Sequence, residues 1–159
     1  RSEIPMTPRM VIILATTGSA SLLAGAFLFQ WLGWAPCKMC LWQRWPHAVA
    51  VAIGVLAYFT TQTKWLSGLG ALTALVAAGL GVYHSGVELK WWLGPSSCTS
   101  SGGLDGLAGA ALLPSATNGP ALVLCDTLTP FFMELTMANY NALFSIGLIA
   151  LWAIALRKS

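Results

Sequence analysis

The sequence predicts an all-α membrane protein, a four-transmembrane-helix antiparallel bundle, and two observations predict it. Charge is scarce: of 159 residues, 57% are hydrophobic and only 8 Lys/Arg and 5 Asp/Glu are present. A soluble domain of this length would carry about 40 charged residues. The few charges also leave long uncharged stretches between them. The same composition excludes disorder, and a net charge of +3, scattered along the chain, excludes a nucleic-acid partner.

The uncharged stretches run Met10–Cys37, Trp45–Thr63, Trp65–Val87, Gly106–Cys125 and Leu135–Leu156. A helix needs about 20 apolar residues to cross about 30 Å of hydrocarbon. Four of the stretches meet that length and are rich in Leu, Ala, Val, Ile and Phe. The exception, Gly106–Cys125, contains Pro114, Asn118-Gly119 and Pro120. These would leave backbone groups unsatisfied in lipid, so it reads mostly as loop. The expected spans are 10–33, 45–62, 65–87 and 135–156, with outer loops over 34–44 and 88–134, all in one membrane domain covering 1–159.

Four spans place both termini on one side with the turn Thr60–Lys64. That side holds Arg1, Arg9, Lys64, Arg157 and Lys158, and the other Lys38, Arg44 and Lys90. The bias assigns the termini to the cytoplasm. Trp31, Trp34, Trp42, Trp45, Trp91 and Trp92 fall at outer span ends and Trp65 and Trp152 near inner ends, as an interfacial belt requires. The first uncharged run exceeds the roughly 7–15 residues of a signal-peptide core, so it is expected to be a retained span. Arg1–Pro5 reads as an appended stretch ahead of Met6. Leu104–Leu113 reads either as a short interfacial helix, acting as a lid, or as an ordinary hydrophobic loop.

All four cysteines, Cys37, Cys40, Cys98 and Cys125, fall on the outer side. That compartment is where disulfides persist. Cys37 and Cys40 can close locally, leaving Cys98 and Cys125 to bridge the second outer loop. A bridge across two residues restrains little chain entropy, which points to a reducible, redox-active pair rather than a structural one. An all-thiolate metal centre is the other reading, opposed by the distance in sequence between the pairs. With a helix beginning near Cys40, Arg44 follows it by one turn on the same face. There it can stabilise a thiolate or donate to a ligand's carbonyl oxygen, or else reach lipid headgroups. Pro46 suits a first helical turn.

At Cys37-Lys38-Met39-Cys40-Leu41-Trp42-Gln43-Arg44 the chain resembles the disulfide bond formation protein B (DsbB) family. The resemblance covers the whole chain, from the Cys-x-x-Cys in the first outer loop to the cysteine pair in the second. Tyr83-His84 and the segment Cys125-Asp126 to Met133-Glu134-Leu135 and Met137 also match. It implies an inner-membrane enzyme that reoxidises a periplasmic thioredoxin-fold oxidase (DsbA-like) and passes two electrons to ubiquinone or menaquinone.

Matched by position, the resemblance makes Cys98 the sulfur attacked by the partner. Cys125 would then attack Cys37 and release Cys40 beside the quinone. Arg44 would orient the quinone, with His84 as a second contact. The family's aromatic residue five positions after its last cysteine is replaced by Pro130; Phe131 or Phe132 could pack against the quinone in its place, and lipid-facing packing of both is the other reading. Two other classes compete. A small transporter or assembly protein with structural disulfides is opposed by the lack of charge inside the spans. A vitamin K epoxide reductase relative would carry its Cys-x-x-Cys near a late span.

Overall fold

In a computed structural model the described residues are 6–96, 123–128 and 130–159. Among them are four helices: α1 (Pro8–Trp31), α2 (Lys38–Phe59), α3 (Thr63–Glu88) and α4 (Met137–Lys158). A small antiparallel pair, β1 (Pro130–Phe132) and β2 (Leu135–Thr136), precedes α4. Leu104–Leu113, the expected interfacial helix or loop, lies outside the described residues. α1, α3 and α4 are long and apolar enough to cross a membrane, which marks the chain as a membrane protein. Their outward faces carry residues such as Leu14, Leu72, Leu75 and Leu143 exposed. Water would penalise such a surface and lipid accepts it.

Each helix start has a local cause. Thr7 caps α1, its hydroxyl accepting from Met10 N–H at 3.3 Å, and Pro8 sits where no amide donor is needed. Thr136 caps α4 in the same way through Asn139 N–H. The second helix begins seven residues before the expected span, because the Cys37 sulfur caps it by accepting from Cys40 N–H at 3.1 Å. Pro46 therefore lies inside α2 rather than in its first turn. There it leaves the Trp42 carbonyl without its helical donor. The early turns of α2 also carry Lys38, Gln43, Arg44 and His47, which lowers its hydropathy relative to the other three helices.

The helices pack in a ring, α1 against α2 and α4, and α3 against α2 and α4. Small residues set the closest approach. A Cβ on Gly81 would stand 2.8 Å from the Ala142 amide nitrogen, and one on Gly70 would stand 2.5 Å from the Trp152 ring. Two buried clusters follow. Val11, Ile12, Leu66, Leu148 and Trp152 fill the end near the termini. Cys37, Met39, Val87 and Cys125 fill the opposite end.

Trp152 corrects the belt expectation: it is 0% exposed and packs on α3, whereas the other seven tryptophans are exposed. Gly70 provides the recess that the indole fills. The β1–β2 turn was not expected either. Met133 and Glu134 adopt φ of 49° and 61°, which reverses the chain and turns Phe131 back toward α1.

Candidate functional site

At the end away from the termini the four helices part around a cavity of about 650 Å³. Its wall is mainly apolar, with Leu22 and Phe29 from α1 and Phe144 from α4. The polar groups reaching it come chiefly from one turn each of α2, α3 and α4: Cys40, Gln43, Arg44, His84, Glu88 and Asn141. A concave, mostly apolar cavity with a few convergent polar groups is the usual form of a small-molecule site.

Cys37 precedes α2 and is buried; Cys40 lies in its first turn and is half-buried. Both are free thiols, with the sulfurs 2.6 Å apart. The environment differentiates them. The hydrogen bond to Cys40 and burial push the Cys37 thiol far above its ordinary value. Cys40 is lowered, first by the hydrogen bond from Cys37 and to a smaller extent by backbone contact and Arg44, against burial and the Glu88 carboxylate. The surroundings thus favour the proton on Cys37 over Cys40. Two thiolates on tetrahedral zinc would stand about 3.8 Å apart. At 2.6 Å these sulfurs are placed for a sulfur–sulfur bond instead.

Arg44 turns inward rather than to headgroups. Its Nη1 donates to Gln30 Oε1 at 2.6 Å and its Nη2 to the Ala26 carbonyl at 3.2 Å. The guanidinium lies over the Phe27 ring at 4.8 Å. Its buried Nε has no protein partner among the described residues. Gln30 and Ala26, both on α1, thus aim the guanidinium along the cavity wall.

His84, one turn before the end of α3, places Nε2 3.6 Å from the Cys37 sulfur and 3.9 Å from Glu88 Oε1. Its ring also hydrogen-bonds to the backbone of Cys125. Glu88 is buried and accepts from the Thr136 hydroxyl at 2.6 Å. Cys125 is buried against Cys37 and is held in a disulfide. The following residue, Asp126, pairs with Lys90 at 2.5 Å, which ties this segment to the end of α3.

Of the residues singled out from sequence, Cys37, Cys40, Arg44, His84 and Cys125 meet at this one place; Cys98 lies outside the described residues. Of the two readings of the phenylalanines, Phe131 departs from the lipid-facing one. It lines the cavity and packs edge-on against Phe29 at 5.0 Å and Trp34 at 5.9 Å. Phe132 touches the cavity but is 63% exposed. Sequence reasoning missed His47, Glu88 and Asn141. Their only signal was polarity without charge inside an apolar stretch, or, for Glu88, a carboxylate at a span end.

The fold and site together define a helical membrane protein with a Cys-x-x-Cys at the mouth of an apolar cavity and a third cysteine packed beside it. A family model described as "Disulfide bond formation protein DsbB" matches residues 8–155, and the chain belongs to that family. A protein named Disulfide bond formation protein B from Polaromonas sp. (strain JS666 / ATCC BAA-500) is 27% identical over 95% of each chain. The protein of that name from Polaromonas naphthalenivorans (strain CJ2) is 33% identical over 54% of this chain and 52% of its own. That from Verminephrobacter eiseniae (strain EF01-2) is 34% identical over 59% and 54% respectively. The match therefore spans about half the length of the latter two relatives and nearly all of the first. No solved structure matches the chain.

Proposed function

We propose that this protein is a membrane thiol–disulfide oxidoreductase that reoxidises a periplasmic thioredoxin-fold dithiol oxidase and passes two electrons to a membrane quinone. The observation that carries the reading is the convergence of the Cys40 sulfur, Arg44 and His84 on one largely apolar cavity, with Cys125 packed against Cys37. The residues fit a quinone: an apolar wall suits its ring and tail, and the buried, unpartnered Arg44 Nε is a donor available to a carbonyl oxygen. Arg44 and His84 would hold it, with Phe131 against the ring. When bound, a quinone accepts two electrons and two protons.

The protein's own residues account for the thiol steps. A partner thiolate attacks Cys98, forming a mixed disulfide and freeing Cys125. The Cys125 thiolate attacks Cys37 in the Cys37–Cys40 disulfide, and the Cys37–Cys125 bond forms as Cys40 leaves as a thiolate. With Cys37 bonded to Cys125 and carrying no proton, the backbone contact at Cys37 and the Arg44 guanidinium are what stabilise the departing Cys40 thiolate. The second partner thiol closes the partner's disulfide and releases Cys98, which then attacks Cys125 and frees Cys37. The chain returns to a Cys98–Cys125 disulfide with a Cys37/Cys40 dithiol, having taken two electrons from the partner.

In this reading α2 is the fourth span, its polar outer turns facing the cavity instead of lipid, and the four helices form an antiparallel bundle. The termini lie in the cytoplasm of a bacterium, the bundle in its inner membrane, and the cysteines on the periplasmic side. The test is ubiquinone reduction by purified protein supplied with a reduced thioredoxin-fold dithiol oxidase. Turnover is expected, and Cys40→Ser should abolish it. Near-normal turnover in that variant would overturn the mechanism.

A further inference from the structure

A continuous set of hydrogen bonds runs from the interior of the helices to the cysteine pair. His47 Nε2 lies 2.8 Å from Asn141 Oδ1, Asn141 Nδ2 donates to Gln43 Oε1 at 2.7 Å, and Gln43 Nε2 lies 2.7 Å from His84 Nδ1. His84 Nε2 lies 3.6 Å from the Cys37 sulfur, which lies 2.6 Å from that of Cys40.

The amide ends fix the direction. An amide oxygen only accepts and an amide nitrogen only donates. His47 therefore donates to Asn141, and Gln43 donates to His84 Nδ1. Neutral His84 then carries its proton on Nε2, which faces the Cys37 sulfur and the backbone of Cys125. The donors from His47 to Gln43 all point toward His84, whose N–H is shared between the Cys37 sulfur and the Cys125 backbone, and the series ends at Cys40.

We propose that Asn141 is a positioning residue for the Cys40 sulfur, acting through Gln43, His84 and Cys37. It rests on the reading of Cys40 as the reactive sulfur of the thiol–quinone site, and it adds to that site a residue of α4 that makes no contact with either cysteine in the chain just described. Aligned hydrogen bonds polarise one another in a low-dielectric interior. The Asn141 amide keeps Gln43 from rotating, and a rotated Gln43 would present its oxygen to His84 Nδ1 and move the ring proton away from Cys37. Asn141 Nδ2 also reaches the Ala77 carbonyl at 3.4 Å, which anchors the amide in this orientation against α3.

The other groups around Cys40 are fixed in kind. α2 supplies Arg44, α3 supplies Glu88 beside His84, and α4 supplies Tyr140. The segment before β1 supplies Asp126, paired with Lys90. Among the described residues α1 brings no titratable side chain to the cavity.

The test is the pH profile of Cys40 alkylation in the reduced full-length protein in detergent, read by mass spectrometry of the labelled peptide. Asn141→Leu should move the profile to higher pH and slow labelling at neutral pH by about threefold to tenfold, the loss of one hydrogen bond in the series. Gln43→Leu should do at least as much, and the double variant no more than Gln43→Leu alone. If Asn141→Leu does not fold, His47→Phe reads the same chain from its far end and should shift the profile less, in the same direction. An unmoved profile in the folded variant, or additive shifts in the double variant, would overturn the proposal. No quinone or partner protein enters this measurement, so its failure is distinct from failure of the electron-transfer reading.

Discussion

Removing the Cys37 thiol should cost Cys40 most of its thiolate character, and more than removing Arg44. The main cause of the lowered Cys40 is the hydrogen bond from Cys37, with Arg44 the smallest of the contributions. A hydrogen bond to a charged group is worth about 1.5–3 kcal/mol. Cys37→Ala should therefore bring Cys40 back up toward the ordinary thiol range. Labelling of Cys40 at neutral pH should slow by about tenfold, the loss of one hydrogen bond to a charged sulfur. Cys37→Ser should lose much less, because a hydroxyl both donates to the sulfur and caps the helix. Arg44→Met should slow labelling less than Cys37→Ala does, in keeping with its minor share. The assay is the rate of iodoacetamide labelling of Cys40 between pH 5 and pH 10. The sign is definite: at any pH below the ordinary thiol range, the Ala variant reacts more slowly. A Cys40 profile unchanged by Cys37→Ala, or moved further by Arg44→Met, would refute this ordering.

Arg44→His should raise the apparent quinone KM by more than it slows thiol exchange between partner and protein; an unchanged KM would remove Arg44 from the quinone site. Phe131→Ala removes one wall of the cavity and its contacts with Phe29 and Trp34. It should likewise raise the quinone KM, with partner exchange rates as the control. Gly70→Val places a side chain into the Trp152 ring; overpacking of this kind costs about 1–3 kcal/mol and should lower the thermal midpoint in detergent. Lys90→Ala breaks the pair with buried Asp126. Since Lys90 is largely exposed, the loss is about 1 kcal/mol or less. It should appear as faster proteolysis near Cys125 rather than global unfolding.

The helices were legible because lipid tolerates so few charges that the gaps between them nearly outline the spans. Each predicted boundary of α1, α3 and α4 lies within two residues of the observed helix. The start of α2 was not, because a cysteine sulfur does the capping that Ser, Thr, Asp or Asn would have advertised. Trp152 was misplaced because a tryptophan near a span end looks the same whether it meets headgroups or fills a recess. Only the glycine opposite distinguishes the two cases, and it lies 82 residues away in sequence. At the site, Cys37, Cys40 and Arg44 were readable from their spacing within one helix. The His47–Asn141–Gln43–His84 series was not. Its members are neutral, invisible to a search for charge, and come from three helices whose register no local pattern specifies.

The central claim, that the cavity beside Cys40 is the quinone site, is tested most directly by photolabelling with an azido-ubiquinone. The account predicts label on peptides containing residues 21–29, 40–47 and 137–144, suppressed by excess ubiquinone and reduced by Arg44→His. The opposite end of the molecule offers a second, smaller hollow lined by Lys64, Trp65, Leu69 and Leu156. Competable label concentrated there, with the Cys40 peptide unlabelled, would contradict the account.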